Sequence, residues 1–204
     1  MTAPRLIVPL LAASLGAFGG YALMHKVGPD VSRVSKDSAG VEVDRSSGPP
    51  PELNGSDPKS MLRPEQLSKA LAIMGREGSG PGTKVLSFRL APGRINATID
   101  ADGKSVDLYL IPGGKVFARS VSPIAPSRLA LEDALPLREI SATGPSKMVR
   151  ALRTRSGISP DDVNYLVADV DPVSHKPAWL LYLKSNANTY YRAAINGAHP
   201  SRCC

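Results

Sequence analysis

One segment of the chain recurs, and a recurrence constrains the fold more than any single motif. Val106, Asp107, Leu108, Tyr109 and Leu110, followed after nine residues by Arg119, match Trp179, Leu180, Leu181, Tyr182 and Leu183, followed by Arg192, at a constant offset of 73. Leu, Tyr, Leu and Arg are identical, and Phe117 faces Tyr190. Upstream, Pro64, Leu67, Ala70 and Leu71 fall on Pro145, Met148, Ala151 and Leu152 at an offset of 81, and Val85 falls on Val163 at 78. An offset that falls in steps is what loop deletions in a second copy produce. The first loss shortens the Gly75–Gly82 connection, and the second shortens the first strand pair. A repeat must be sought before any element is assigned, because missing it misassigns the whole architecture.

Each copy reads as a helix followed by an antiparallel meander. Leu67, Ala70, Leu71 and Met74 have helical spacing, Pro64 suits the first turn and Gly75 suits the stop. Leu86, Phe88 and Leu90 alternate with Ser87 and Arg89 as in a strand with one buried face. Pro92-Gly93 interrupts, Ile95, Ala97 and Ile99 resume, Asp102-Gly103 is a hairpin turn, and Val106, Leu108 and Leu110 form an inward row. Pro112-Gly113-Gly114 then turns the chain into Val116–Ser120. The second copy begins at Pro145 with Met148, Ala151 and Leu152 as its stripe and Gly157 as its stop. A strand through Val163, Tyr165 and Val167, a turn at Asp171–Pro177, an inward row of Trp179, Leu181 and Leu183, and a turn at Asn186–Asn188 follow. The expected fold class is α+β, a tandem repeat of a helix followed by a three- to four-stranded antiparallel meander. Neither copy can cover its apolar sheet face alone, so the two are expected to share a core.

The order of elements over residues 61 to 200, with Tyr190-Tyr-Arg-Ala-Ala-Ile-Asn-Gly197 as a last strand and turn, resembles the PepSY-like class of exported domains. The tandem layout is similar to that of β-lactamase-inhibitory-protein-like domains. The Asp-x-x-Thr-Gly turn common in the PepSY class is absent, with Asn196-Gly197 in its place. The resemblance implies a non-catalytic module that binds or restrains another envelope protein, and it carries over no functional residue.

Ahead of the repeats, Leu6 to Met24 is a run of 19 residues without a charge. It is long enough to span a bilayer and also reads as a cleavable signal, with Arg5 before it and Gly20-Tyr21-Ala22 as the cleavage site. Either reading exports the rest. The chain is then single-pass in the cell membrane with its C-terminal part outside the cytoplasm, or secreted. Ala12, Gly16 and Gly20, four apart, would permit close approach of a second helix. The domain reading is residues 1–26 as anchor or signal, 27–60 as a Gly/Pro/Ser-rich disordered tether, 61–122 as the first unit, 123–142 as a Pro-rich connector and 143–204 as the second unit. Such a tether buries too little apolar area to offset its ordering entropy.

Residues 61–204 carry 19 Lys and Arg against 12 Asp and Glu, so the folded part holds the positive excess. A basic exported domain suits an anionic envelope surface or an acidic partner, and nucleic acid is not expected. At 100° per residue Lys147, Arg150 and Arg153 fall on the face opposite Met148 and Ala151, which makes them the candidate binding residues. The only cysteines, Cys203 and Cys204, are adjacent; a bridge between neighbours is strained, so they are candidate interchain thiols on a frayed tail.

Nothing in the sequence has the spacing of a catalytic or metal site. His25, His175 and His199 are isolated, no Cys-x-x-Cys or His-x-x-x-His occurs, and Gly75–Gly82 lacks the Lys-Ser/Thr ending of a phosphate loop. Asp100/Asp102, Asp161/Asp162 and Asp169/Asp171 flank turns, where Asp ordinarily caps backbone N–H groups. No catalytic residue, metal or cofactor is expected. The favoured reading is a non-enzymatic binding or interaction module; the alternatives are a secreted cell-envelope hydrolase and a structural envelope component.

Overall fold

A computed structural model of the chain describes residues 42–43, 50–123, 134–171, 174–185 and 189–203. The apolar segment at residues 6–24, most of the tether, the Asn186–Asn188 turn and Cys204 lie outside the described residues. Two helices stand where the apolar stripes place them. Helix α1 spans Pro64–Glu77 and α2 spans Gly144–Ser156, each with proline in its first turn, where a missing N–H costs nothing. Gly157 stops α2 with φ 68°, the left-handed conformation that glycine adopts without a Cβ penalty. Gly75, expected as the stop of α1, lies inside it. The helix runs to Gly78, where a Cβ would come within 2.4 Å of the Thr83 side chain. Close packing, more than turn conformation, therefore explains the glycine at this end.

The strands form one antiparallel sheet, so the fold is α+β. In chain order they are β1 Glu42–Val43, β2 Lys84–Ala91, β3 Arg94–Ala101, β4 Lys104–Ile111, β5 Lys115–Pro123, β6 Leu135–Pro136, β7 Val163–Val170, β8 Pro177–Leu183, β9 Tyr190–Ala194 and β10 Ser201–Cys203. Across the sheet the order is β1-β5-β4-β3-β2-β7-β8-β9-β10, with the two-residue β6 also paired to β2. The strands that follow each helix, β2 and β7, meet at the centre. The Asp102-Gly103 hairpin forms as expected, with φ of 53° and 77°, the positive pair that a two-residue turn between right-twisted strands requires.

Two bulges correct the face assignment. Between Val85 and Ser87 the β2–β3 register slips by one, and between Val163 and Tyr165 the β7–β8 register does the same. One extra residue moves every side chain before it across the pleat. Val85 therefore joins Phe88 and Leu90 in the core while Leu86 does not, and Val163 joins Leu166 and Ala168 while Tyr165 and Val167 turn to the opposite face. The inward rows Val106, Leu108, Leu110 and Trp179, Leu181, Leu183 stand as the alternation implied.

The offset of 73 joins strands in different places. It lays β4 on β8, yet β8 neighbours the central β7 whereas β4 is separated from the central β2 by β3. The strand beside β2, and so the one placed like β8, is β3. The Leu-Tyr-Leu match reflects two strands of like burial pattern rather than like position.

Both helices cover the same face, and their apolar side chains merge with the inward rows into one core. Trp179 is fully buried, edge-on to Phe88 at 5.8 Å, and its indole N–H donates to the Ile195 carbonyl at 2.8 Å. Gly144 at the start of α2 leaves room for that ring, since a Cβ there would lie 2.5 Å from Trp179 Nε1.

Residues 50–60, expected as tether, pack on the domain instead. Ser60 and Met61 are fully buried, the Met61 N–H donates to the Pro92 carbonyl at 2.7 Å, and a Cβ on Gly55 would overlap the Pro160 carbonyl. Ser56 donates from its N–H and its hydroxyl to Asp161 Oδ1 at 2.9 and 2.6 Å. A polar segment is held here by turn and side-chain hydrogen bonds, which a composition argument does not register. The connector likewise contributes Leu135, Leu137 and Ile140 to the core, through β6 and a turn of 3-10 helix at Leu137–Glu139. The C-terminus also departs from expectation: Tyr190–Ala194 is followed by β10, so Cys203 sits in an edge strand opposite Tyr190 and not on a frayed tail.

Candidate functional site

The expected basic stripe is present but divided. Lys147, Arg150 and Arg153 are all exposed on α2. Arg150 and Arg153 line a cavity of about 280 Å³ together with Arg63, Leu62, Ser146 and Pro160. Lys147 points elsewhere, its Cβ close to the Gly197 turn that follows β9. Arg63 comes from the residue just before α1, and its guanidinium donates to the Ser56 and Asp57 carbonyls at 2.7 and 3.4 Å. The chain thus brings a third arginine to the pair, from a segment read as the boundary of a tether. No local pattern marks Arg63, because its neighbours in space are remote in sequence.

A second surface arises on the face of the sheet opposite the helices. Tyr165 of β7, Tyr182 of β8 and Tyr190 of β9 stack in a row across three neighbouring strands, with ring centroids 4.7 and 5.5 Å apart. The Arg89 guanidinium caps the row, 3.7 Å from the Tyr165 centroid. This distance is well inside cation–π range. Each tyrosine is half-buried, and no described helix lies on this face. Burial, reinforced by the flanking hydroxyls of Tyr165 and Tyr190 and the carboxylate of Asp169, pushes the Tyr182 phenol above its ordinary pKa.

Around the row the face is polar and cross-linked. Ser87, Thr98, Asp107 and Ser120 form a hydrogen-bonded line over β2 to β5. At the β7–β8 turn Asp171, only 5% exposed, accepts two bonds from Arg192 Nη1 at 2.9 Å and one from Ser174 Oγ at 2.6 Å. This carboxylate is a buried ion-pair partner, whereas Asp100, Asp162 and Asp169 accept from the Gly103, Ser159 and Val170 N–H groups as turn-flanking Asp was expected to do. The tyrosine row was not foreseen because Tyr165 changes face at the Asn164 bulge; the outward parity of Tyr182 within Trp179–Leu183 was the available signal.

No protein-family model, curated protein or solved structure matches the chain. Among the described residues no group of three or more His, Cys, Asp and Glu is placed to hold a metal ion, and no helix is long and apolar enough to cross a membrane. Of the candidate thiols, Cys203 is free and half-buried in β10.

Proposed function

We propose that this chain is an exported, membrane-tethered interaction module that binds another envelope protein through the tyrosine-bearing face of its sheet. The observation that carries the reading is the row Arg89, Tyr165, Tyr182 and Tyr190 on a face that no described helix covers. Tyrosines held in a stack offer large contact area with little rotamer freedom left to lose, and tyrosine and arginine are the residues that anchor protein interfaces. The apolar run Leu6–Met24 supports export and tethering. The order of elements, which resembles the PepSY-like class, agrees with a restraining or binding role.

The module is a tandem repeat in this proposal, with β2–β5 corresponding to β7–β10. Two features support it. The bulges fall at Val85–Ser87 and Val163–Tyr165, which are 78 residues apart, and the Gly114 and Gly197 turns close on Lys69 and Lys147 of the two helices in like manner.

The test is capture from the native envelope with the full chain as bait, compared with Tyr165→Ser and Tyr182→Ser variants. The expected result is a specific partner retained by the native chain and lost with either variant. Equal recovery by all three would sink the reading.

A further inference from the structure

The cavity between α2 and the segment that precedes α1 carries a second, separate site. Three arginines, Arg63, Arg150 and Arg153, line it. Arg63 is held in place by two backbone carbonyls, which orient the group without neutralising it. None of the three is in an ion pair with a described residue, unlike Arg119, which pairs with Glu77, and Arg192, which pairs with Asp171. The nearby carboxylates of Asp57 and Asp161 form no ion pair with them and take hydrogen bonds from neutral groups. Asp161 accepts from the Ser56 N–H and hydroxyl, and Asp57 Oδ1 accepts from the Lys59 N–H.

Like charges that share one wall without a paired carboxylate offer a place for an anion, and an anion that binds the folded chain alone stabilises it. Arginine presents a planar fork of donors matched to the oxygens of a phosphate. At the places on α1 that match Arg150 and Arg153 by the offset of 81 stand Lys69 and Ala72, so α1 carries no matching pair of arginines.

We infer that the Arg63, Arg150 and Arg153 cavity is an anion site that takes a phosphate group. The group comes from an anionic phospholipid head or from a soluble phosphoester. The site does not depend on the tyrosine face and would stand if that face bound nothing.

The experiment measures thermal unfolding of the full chain in phosphatidylcholine nanodiscs, in two arms. One adds inorganic pyrophosphate, and the other replaces part of the lipid with phosphatidylglycerol. A rise in midpoint with pyrophosphate assigns a soluble source, and a rise with phosphatidylglycerol alone assigns the lipid head. The Arg150→Gln/Arg153→Gln variant is expected to weaken the apparent affinity at least tenfold, about 1.4 kcal/mol. Lys147→Gln/Arg138→Gln, which removes the same charge outside the cavity, is expected to respond as the native chain does. No rise in either arm, or an equal response from both double variants, overturns the site. All four side chains are exposed, so these variants should fold.

Discussion

Arg89 faces Val167 across the β2–β7 seam, and the same two residues stand 78 positions apart in the chain. That is also the spacing from Val85 to Val163 and from the bulged Leu86 to Asn164. In an antiparallel pair, a residue that meets its own counterpart lies on a local two-fold axis. The seam of the sheet is therefore the place to test whether the halves are equivalent.

Deleting Leu86 or Asn164 should be tolerated to a similar degree. Each deletion removes the unpaired residue, so Val85 directly precedes Ser87, and Val163 Tyr165, and both valines keep their inward side and their partners Ile99 and Leu183. Urea unfolding of the two single deletions checks this. A loss of about 1.5–3 kcal/mol on either side, the cost of exposing a buried valine, would mean that the valine there had left the core.

The strap at residues 50–60 should loosen in acid. The two hydrogen bonds from Ser56, larger in effect than the nearby Lys184 charge, hold the Asp161 carboxyl below its ordinary pKa. A depressed carboxylate contributes stability that is present above its unfolded value of about 3.9 and is lost as pH falls through the folded value. Hydrogen exchange at the Ser56 amide should rise relative to other amides over that window, and Asp161→Asn should remove most of the pH dependence. Unchanged protection of Ser56 through the acid range would refute the coupling.

At the alkaline end the tyrosine row should respond in the opposite sense. The raised pKa of Tyr182 contributes stability present below about pH 10 and lost as pH rises through the folded value. The difference in tyrosinate absorbance between the native chain and Tyr182→Phe should show an ionisation above the ordinary range, and Asp169→Asn should bring it lower. An ionisation of Tyr182 at or below that range would show that the phenol is neither buried nor crowded as described.

Local patterns carried much of the architecture. Proline in the first turn, stripes at helical spacing and the Gly157 stop located both helices, and Asp102-Gly103 and Pro112-Gly113-Gly114 located two of the sheet's turns. These features are determined within a few residues, by backbone sterics and periodicity, so they can be read from the chain directly. The candidate stripe was half legible for the same reason: helical geometry put Lys147, Arg150 and Arg153 on the exposed side of α2.

What only the tertiary structure decided involves residues distant in sequence. Bulges at Leu86 and Asn164 depend on the register with a partner strand, and the one at Asn164 lets Tyr165 face outward, to stack with Tyr182 and Tyr190, while Val163 stays in the core. Arg63 reaches Arg150 and Arg153 because Asp161 and Pro160 receive the strap, a contact 105 residues apart in the case of Ser56 and Asp161. Sequence by itself determined the elements, since each element is stabilised largely by its own neighbours. Which side chains share a surface was settled by packing, where one inserted residue reverses a face.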